Sequence, residues 1–572
     1  MRTKVNCLLI VYTLFPCTFA GTHSNNSITP DSAENYLVDY CYDIMQYQTY
    51  GRSFIFPANI ASDETYAGGG IHDDYELCNI DSFSLDSDNG YVESLWEKYY
   101  ESIERCNLLL GAIGPDAGAE YNRFVAEAKC LRAYFYFCMV RYYGGVPLWI
   151  SDDINQLNSL ARAASSEVYT QIEKDLSEAI PYLPLRSGLA GGENFRLTSG
   201  AARTLLGKVY LFQQKWSLAV GQFSVVINTG EYYLLPDFSE IWETTNEFSY
   251  ESIFEIPFTS VQDDWDRGNY DVMLMAYRGG ISSGNTYRGG WGLCPVTTDL
   301  VEAYQAQNDT IRLNATVVDE AAILDDGCTM MDDSRQYTGY FNNKYASLAA
   351  DYIHDFYSEK NEIILRYADI LLMYAEALYH LGNEIAAQAY LNLVRERVYL
   401  DEIDVTGEEL LEAIQEERRL EFALEGSRFF DLVRWDKAIT VLAGMGYQPH
   451  NNVWPIPASA FFANPNLTQN PGYSIPVGIR NVRLPANDLN LQLFPNPATS
   501  KLNLSFNLNK PGDVLISVYS VYGKEAVSYK LFNRPAGGNR FEVDMSNIQN
   551  GVYSVTVKSG GNKSVVKAVI LR

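Results

Sequence analysis

The sequence predicts a mainly α-helical protein, in which helices pair into stacked hairpins interrupted by long loop insertions, followed by a small C-terminal β-sandwich. Two observations carry this prediction. Apolar residues recur at helical spacing through most of the chain, and the pattern is strongest between Ile363 and Trp435. Beyond Tyr473 the pattern changes to short runs of alternating apolar and polar residues, separated by Pro, Gly and Asn, which are typical of antiparallel strands.

Residues 363–398 are typical of a helix-turn-helix pair. Apolar or small residues keep the three-and-four spacing of one helical face at Leu365, Ala368, Leu372, Ala375 and Tyr379. Gly382 and Asn383 supply a left-handed stop between the two helices. A third helix is expected to open at Thr406, whose hydroxyl can form a capping box with Glu409.

The far end of this third helix is crowded with charged residues. They fall three or four positions apart, so we expect them to pair along one helical face: Glu421, Glu425, Arg428, Asp431 and Arg434. Aromatic residues give the same segment a core side: Phe422, Phe429, Phe430 and Trp435.

Helical periodicity also marks earlier segments, at 96–113, 120–143, 167–182, 199–216 and 216–229. Two long stretches, about 52–91 and 230–360, interrupt the helices and are rich in Gly, Asp, Asn and aromatic residues. Loops held by a rigid scaffold are where binding residues collect. We therefore expect the ligand site in these two stretches.

Three long motifs then identify a family resemblance. RYADILLMYAEAL, EERRLEFALEGSRFFDLVRW and VWPIPASAFFANPNLTQNPGY resemble the C-terminal hallmarks of the SusD/RagB family, with further matches at 95–107, 127–147 and 290–292. The resemblance implies a tetratricopeptide-like helical domain, placed here at 21–475. It also implies a nutrient-binding protein at the outer membrane that captures oligosaccharides or peptides and delivers them to a SusC-like TonB-dependent transporter.

The last residues resemble a second family. FPNPATSKLNL, VYSVYGKE and NIQNGVYSVTV, with the basic residues Lys567 and Arg572, are similar to the C-terminal sorting domain of the type IX secretion system. We place this β-sandwich domain at 491–572, after a linker at 476–490. The resemblance implies recognition by the type IX secretion machinery.

The first twenty residues have the pattern of a secretory signal peptide, placed at 1–20. Arg2 and Lys4 precede an apolar run, and Thr-Phe-Ala ends at Ala20. Members of the resembled family are usually lipoproteins, but Pro16 before Cys17 fits the lipidation pattern poorly. Cleavage after Ala20 is therefore favoured, and lipidation at Cys17 stays open.

Composition excludes several classes of partner. The formal net charge of −28 and the lack of a basic stripe argue against nucleic-acid binding. Seven cysteines after position 20, without CxxC spacing, argue against a structural zinc site or a full disulfide framework, although a single disulfide among Cys41, Cys78 and Cys328 stays open. The acidic clusters lack the spacing of an EF-hand. We predict no metal, no cofactor and a peripheral position at the outer membrane.

Candidate site residues follow from sugar chemistry. A sugar ring exposes a flat C–H face ringed by hydroxyls, so its site needs aromatic platforms beside carboxylates, amides and arginines. The platform candidates are Tyr66, Tyr75, Trp265, Tyr270, Tyr287 and Trp291, and the polar candidates are Asp63, Asn269, Asn285 and Arg288. With 42 tyrosines and 8 tryptophans in the chain, most aromatic residues have packing roles, which is the competing interpretation for each candidate.

No metalloprotease helix or Walker loop is present, and the five histidines lack ligand spacing. The first hypothesis is therefore a binding protein without catalysis. Two alternatives belong to other classes: a secreted glycan hydrolase with a cryptic carboxylate pair, and a helical-repeat scaffold that binds only proteins. The sequence does not separate glycan from peptide ligands, but the aromatic loops favour a glycan.

Overall fold

The structure is a computed structural model. It describes residues 30–46, 55–73, 75–113, 121–258, 268–280, 285–352, 357–475, 489–496, 498–520, 525–546, 548, 551–560 and 562–570. The predicted signal peptide, Cys17, Trp265 and most of the predicted linker lie outside these residues. The chain divides into two compact units, the first ending at Ile475 and the second beginning at Pro476.

Helices dominate the first unit. The longer ones are α1 (Pro30–Gln46), α2 (Gly90–Ile113), α3 (Asn122–Tyr143), α4 (Ser165–Ala179), α5 (Ser199–Phe212), α6 (Trp216–Thr229), α7 (Thr298–Ala306), α8 (Thr310–Thr316), α9 (Tyr367–His380), α10 (Glu384–Arg397), α11 (Glu408–Glu421) and α12 (Arg428–Arg434). Shorter helices span Phe56–Ile60, Glu76–Asp81, Ile154–Leu157, Asp271–Met275, Glu320–Asp325, Ala438–Val441 and Ala458–Ala463. Each segment predicted from helical periodicity contains a helix.

Consecutive helices pack against each other. Helix α2 packs on α3, α3 on α4, α4 on α5, α5 on α6 and α9 on α10, while α6 also packs on α9 and joins the two groups. The core of the second group is apolar and fully buried, with Ala368, Leu372 and Ala375 from α9 facing Leu391 from α10 and Ile414 from α11. Burial of these side chains stabilises the hairpins, because each removes apolar surface from water.

The predicted helix boundaries are partly confirmed. Helix α9 ends before Gly382, which has a φ of +78°, and the Asn383 side chain caps α10 by accepting from the Ala386 N–H. Leu365, predicted to lie on the helix, is instead in a strand. The capping box at Thr406 is also wrong. Gly407 is the residue before α11 and has a φ of +65°, so Thr406 lies one position too early to cap the helix.

The charged residues near the end of α11 pair mainly across elements rather than along one face. Glu421 binds three arginines. Arg312 lies in α8, Arg366 immediately precedes α9, and Arg397 lies in α10. The local prediction fails because α11 ends at Glu421 and α12 starts only at Arg428. Asp431 and Arg434, both on α12, do pair as predicted, at 2.8 Å.

Two small antiparallel sheets lie within the first unit. Strand β1 (Ser252–Ile256) pairs with β4 (Glu362–Arg366), and β2 (Val317–Asp319) pairs with β3 (Tyr340–Asn342). The stretch predicted as a long loop at 230–360 therefore contains short helices and strands of its own. These elements hold the connecting loops in place.

The second unit is a β domain. Its strands are β5 (Gln492–Phe494), β6 (Lys501–Leu508), β7 (Gly512–Ser520), β8 (Glu525–Arg534), β9 (Gly537–Asp544), β10 (Gly551–Ser559) and β11 (Asn562–Ile570). They form a sheet ordered β5-β6-β9 and a sheet ordered β11-β10-β7-β8. Alternate residues of both sheets, such as Leu504 in β6 and Ile516 in β7, meet in one hydrophobic core.

Candidate functional site

Loops from distant parts of the first unit are joined by isolated β-bridges. Thr65 pairs with Val296, and Gly68 pairs with Leu293. Gly70 pairs with Ser334, so three sequence segments meet along the stretch that begins at Thr65. Bridged backbones leave each loop fewer conformations, because the hydrogen bonds restrict its dihedral angles.

Gly70 allows one side chain to enter between these loops. A Cβ atom added at Gly70 would lie 2.1 Å from the Arg278 Nη2 atom, far inside van der Waals contact. The glycine therefore provides the room in which the Arg278 guanidinium sits. Gly70 and Arg278 therefore depend on each other, although they are remote in sequence.

Arg278 binds both neighbouring loops through its guanidinium. Its Nη1 atom donates to Asp73 Oδ2 at 2.8 Å and to the Trp291 carbonyl at 3.2 Å. Its Nε and Nη2 atoms donate to the two oxygens of Asp333 at 2.7 and 2.9 Å. The hydrogen bonds from Arg278 hold the pKa of Asp333 below its usual range, so this carboxylate stays ionised at neutral pH.

Tyr75 is fixed by a second arginine. The Arg335 Nη2 atom donates to the carbonyls of Gly70 and Asp73 at 3.0 Å each, and its guanidinium carbon lies 4.8 Å from the centre of the Tyr75 ring. The Tyr75 hydroxyl donates to the Ile71 carbonyl at 3.0 Å. The side chain is nevertheless 66% exposed, so much of the ring surface is open to a ligand.

Trp291 is 40% exposed, and its backbone carbonyl accepts from Arg278. Its backbone N–H donates to the Met273 carbonyl at 3.2 Å, and its side chain hydrogen-bonds with Tyr270. Tyr270 in turn lies 5.5 Å from Tyr357, ring centre to ring centre. We call the surface formed by Asp73, Tyr75, Arg278, Trp291, Asp333 and Arg335 the loop face.

The loop face combines two exposed aromatic rings with polar groups held by ion pairs. Ile71 and Met331 add exposed apolar side chains, 49% and 51% exposed. Such rings can stack on the C–H faces of sugars, while arginine and carboxylate groups can bind hydroxyls. The arrangement suits a neutral, hydroxyl-rich ligand that lies along a surface.

Three other predicted site residues make contacts within the first unit. Asn269 is buried, and its side chain donates to the Lys360 carbonyl at 2.8 Å. Arg288 is buried with its guanidinium carbon 4.2 Å from the centre of the Tyr352 ring. Tyr287 packs against the hydrophobic cluster around Phe341. The structure gives these residues packing contacts, so we leave them out of the loop face.

Asn285 also has a local partner, since its side-chain amide donates to Cys328 Sγ at 3.3 Å. Asp63 and Tyr66 lie on a separate cleft. Asp63 accepts from Arg428 at 2.8 and 2.9 Å in a two-point contact, and Arg428 and Arg419 lower the pKa of Asp63 in spite of its burial.

The polar residues of the loop face were not among the sequence candidates. Asp73, Arg278, Asp333 and Arg335 lie in the predicted loops, but no spacing links them, because the ion pair from Arg278 to Asp333 spans 55 positions. The available signal was glycine: YRGG at 277–280 and GGG at 68–70 mark places where the backbone packs closely on a side chain.

Helical hairpins that carry long, bridged loops with exposed aromatic rings define the class of protein, a helical scaffold with structured surface loops. Residues 327–453 match the SusD family model, and residues 30–211 match a model described as starch-binding associating with outer membrane. Residues 492–571 match the secretion system C-terminal sorting domain.

Solved structures agree with these matches. A laminarin binding SusD-like protein is 33% identical, with a TM-score of 0.70, and the match covers 77% of this chain and 99% of that chain. The chain belongs to the SusD family. The predicted resemblances to the SusD/RagB family and to the sorting domain are both confirmed.

Two further relatives place the chain within the family. Surface glycan-binding protein A from Bacteroides thetaiotaomicron, solved in complex with laminarihexaose, is 26% identical with a TM-score of 0.68, and the match covers 77% of this chain and 99% of that chain. SusD-like protein P2 of Formosa agariphila is 25% identical over 433 residues, which are 69% of this chain and 83% of that relative.

Three further observations concern only the described residues. Their seven cysteines are free thiols, including Cys41, Cys78 and Cys328. They contain no group of three or more His, Cys, Asp or Glu side chains arranged to hold a metal ion. None of their helices has both the length and the apolar character needed to cross a bilayer.

Proposed function

We propose that this protein is a cell-surface nutrient-binding protein that captures oligosaccharides at the loop face, without catalysis, and hands them to a SusC-like TonB-dependent transporter. The observation that carries the proposal is the pair of exposed rings, Tyr75 and Trp291, on two loops that Arg278 joins through Asp73 and the Trp291 carbonyl. Relatives solved as laminarin- and laminarihexaose-binding proteins support a glucan as the ligand class.

The chemistry of the loop face favours binding over hydrolysis. A glycosidase requires one carboxyl group with a raised pKa to act as general acid. Asp73 and Asp333 are both bound to Arg278, and the pKa of Asp333 is lowered rather than raised. The Asp333 carboxylate is therefore suited to orienting sugar hydroxyls through Arg278 and not to donating a proton.

A serine hydrolase is a further alternative, because Gly280 to Gly284 contains the letters G-x-S-x-G. In hydrolases this motif joins a strand to the start of a helix. Here the described residues on either side, Gly279 and Tyr287, form isolated β-bridges. These flanks do not support a nucleophile elbow.

The remaining assignments complete the proposal. We infer a signal peptide at 1–20, a tetratricopeptide-like ligand-binding domain at 21–475, a linker at 476–490 and a β-sandwich sorting domain at 491–572. The matched sorting domain supports export by type IX secretion machinery to the cell surface, and the match to an outer-membrane family supports a place at the outer membrane.

A binding and turnover experiment tests the proposal. The purified mature protein is titrated with laminarihexaose, maltohexaose and cellohexaose, and each mixture is then incubated and analysed for shorter products. We expect laminarihexaose to bind and to stay intact. The variant carrying Tyr75→Ala and Trp291→Ala should lose at least tenfold in affinity, because each stacking contact contributes about 1 to 3 kcal/mol.

The matched control is Tyr399→Ala, which removes a ring that is 86% exposed but lies after α10, away from the loop face. This variant should bind as the parent does. Turnover of any hexaose would reject a binder without catalysis. Equal binding by the parent and the double variant would reject the loop face as the site.

A further inference from the structure

Two buried thiols meet where the first helix of the scaffold packs on the second. Cys41 lies in α1 and Cys106 lies in α2, and both side chains are 0% exposed. A side-chain hydrogen bond joins the two thiols. Sulfur atoms in this contact need only a small movement of their side chains to reach the geometry of a disulfide.

The residues beside the first of these cysteines hold α1 on the scaffold. The Arg105 Nη1 atom donates to the Tyr40 carbonyl at 3.0 Å, and its guanidinium carbon lies 3.9 Å from the centre of the Tyr40 ring. The Tyr42 hydroxyl donates to Glu127 Oε2 at 2.9 Å. The backbone is therefore fixed on both sides of Cys41, which keeps the two thiols together.

A third thiol lies near this pair, on α3. Cys130 is 1% exposed. Burial and the carboxylates of Glu127 and Asp175 raise the pKa of Cys130 most, and the Cys106 thiol contributes less and through its charge alone. A hydrogen bond requires a closer approach than a charge interaction does. The geometry therefore favours Cys41 over Cys130 as the partner of Cys106.

Export would bring this pair into an oxidising environment. The matched sorting domain supports export, and disulfides form and persist in the periplasm and at the cell surface. We propose that Cys41 and Cys106 are joined by a disulfide in the exported protein, which fastens α1 to α2. The inference rests on the export part of the proposed function and not on the loop face.

The bond forms by exchange with a dithiol oxidase, a protein that carries a reactive disulfide. One cysteine attacks this disulfide as a thiolate, and the second cysteine then displaces the oxidase from the mixed disulfide. The two thiols lose two protons and two electrons, and the oxidase is reduced to its dithiol. One S–S bond replaces two S–H bonds, so the chain becomes lighter by two hydrogen atoms.

Burial determines when this reaction can occur. The hydrogen bond with the Cys106 thiol and burial raise the pKa of the Cys41 thiol well above its usual range. The thiolate is the reactive form, so the two thiols should react slowly once the chain has folded. We therefore expect the disulfide to form before α1 docks, and afterwards to resist dithiothreitol unless the protein is unfolded.

Peptide mapping tests the pairing without the native export route. The chain from residue 21 onward is produced behind a bacterial host's own periplasmic signal peptide, in a host that has a dithiol oxidase and in a matched host that lacks it. Free thiols are alkylated in denaturant, and the protein is digested with trypsin. Trypsin cleaves after Lys and Arg, which separate Cys41, Cys106 and Cys130 into different peptides.

With the oxidase present, we expect the peptides of Cys41 and Cys106 to be cross-linked and to separate after reduction. Without the oxidase, both residues should be alkylated. Cys41→Ala should leave Cys106 alkylated in either host. Cys130→Ala is the matched control, because it removes another buried thiol from the same cluster, and the cross-link should persist in this variant.

Thermal unfolding then measures what the bond does. The cross-linked and the reduced protein have the same sequence, so a difference between them isolates the effect of the disulfide. A cross-link stabilises a fold mainly by restricting the unfolded chain. The midpoint of the helical unit should be about 4 °C higher in the cross-linked protein, and the β domain should not shift.

The outcomes separate this inference from the proposed function. Alkylation of both Cys41 and Cys106 in the host with the oxidase would overturn the disulfide, as would a cross-link from Cys106 to Cys130. Equal midpoints for the cross-linked and the reduced protein would overturn its role in fastening α1. A cross-linked protein that fails to bind laminarihexaose would reject the loop face and leave the disulfide established.

Discussion

At the scale of single residues, Glu64 has the most informative environment. It is 1% exposed, and its Oε2 atom accepts from the Leu424 N–H at 3.0 Å. Its Oε1 atom has no partner among the residues that the structure describes. Burial and the neighbouring carboxylate of Asp63 raise the pKa of Glu64 to about 7.

This raised pKa predicts how stability depends on pH. Unfolding returns Glu64 to a pKa near 4.5, so its contribution to the free energy of unfolding is greatest below pH 4.5 and is lost as the pH rises to about 7. The Glu64→Gln side chain cannot ionise, and its amide oxygen can still accept from the Leu424 N–H. Chemical denaturation should show this variant gaining about 3 kcal/mol relative to the parent between pH 4.5 and pH 8.

Glu409→Gln is the matched control, since Glu409 is exposed on α11. Its stability relative to the parent should change little over the same pH range. The assignment of a raised pKa would be contradicted if Glu64→Gln and the parent differed in free energy of unfolding by the same amount at pH 4.5 and at pH 8.

Glu421 presents the opposite case, in which a buried carboxylate is held ionised. Its side chain is fully buried, and burial alone would raise its pKa, but Arg397, Arg366 and Arg312 outweigh burial and hold the pKa well below its usual range. Removing one member of a buried ion network leaves the opposite charges of the other members buried and unpaired. Glu421→Gln should therefore lower the free energy of unfolding by about 3 to 5 kcal/mol in urea denaturation.

Glu178→Gln removes a comparable carboxylate from an exposed pair. Glu178 is 45% exposed and lies 2.8 Å from Lys129. Exposed pairs contribute about 1 kcal/mol or less. A loss for Glu421→Gln no larger than that for Glu178→Gln would contradict the structural role of the buried network.

At the scale of elements, the loop face depends on how the glycine segment at 68–70 meets Arg278. Gly70→Ala would place a Cβ atom 2.1 Å from Arg278 Nη2, which is already bound to Asp333. We expect the guanidinium to shift and to release its contacts with Asp73 and the Trp291 carbonyl. Calorimetric titration should show laminarihexaose affinity at least tenfold weaker, because the two loops that carry the rings are no longer joined by Arg278.

Gly191→Ala is the matched control, because a Cβ atom there would have no neighbour within 4 Å. It should bind the hexaose as the parent does. Unchanged affinity in a folded Gly70→Ala variant would show that the position of Arg278 does not matter for binding.

The elements also show what could be predicted from sequence. Helices α9 and α10 were predictable because their apolar spacing and the stop at Gly382 are local signals. The contact between Asp63 and Arg428 spans 365 positions, and no local pattern indicates it. Residue type alone indicates Asn269 and Arg288 as ligand-binding residues, and only the folded chain shows that both are buried.

At the scale of the whole molecule, each of the two units has its own hydrophobic core. Among the described residues, the core of the β domain contains residues from Leu489 onward, and the helical clusters contain residues before the boundary at Ile475. Scanning calorimetry should therefore resolve two unfolding transitions. Ile516→Ala opens a cavity in the β domain and should lower the midpoint temperature of only one of these transitions.

A bound glycan should act on the other transition. A ligand that binds only the folded state adds about 2.7 kcal/mol to the free energy of unfolding at a concentration of 100 Kd. We expect this stabilisation only for the helical unit. Laminarihexaose is thus expected to raise one midpoint and leave the transition lowered by Ile516→Ala unchanged. A single transition that moves as a whole in both experiments would contradict independent units.

The contacts of Arg278 with the loops of Tyr75 and Trp291 have a consequence for selectivity. One guanidinium contacts Asp73 and the Trp291 carbonyl, and Arg335 contacts the Tyr75 ring and the Asp73 carbonyl, so the two loops that carry the rings are joined before any ligand binds. Two rings at a fixed separation and tilt fit a chain of matching curvature without rearrangement. A chain of the same sugar with another curvature would contact the two rings less well. The loop face should therefore distinguish glucans by the shape that their linkage imposes, even when every monomer is identical.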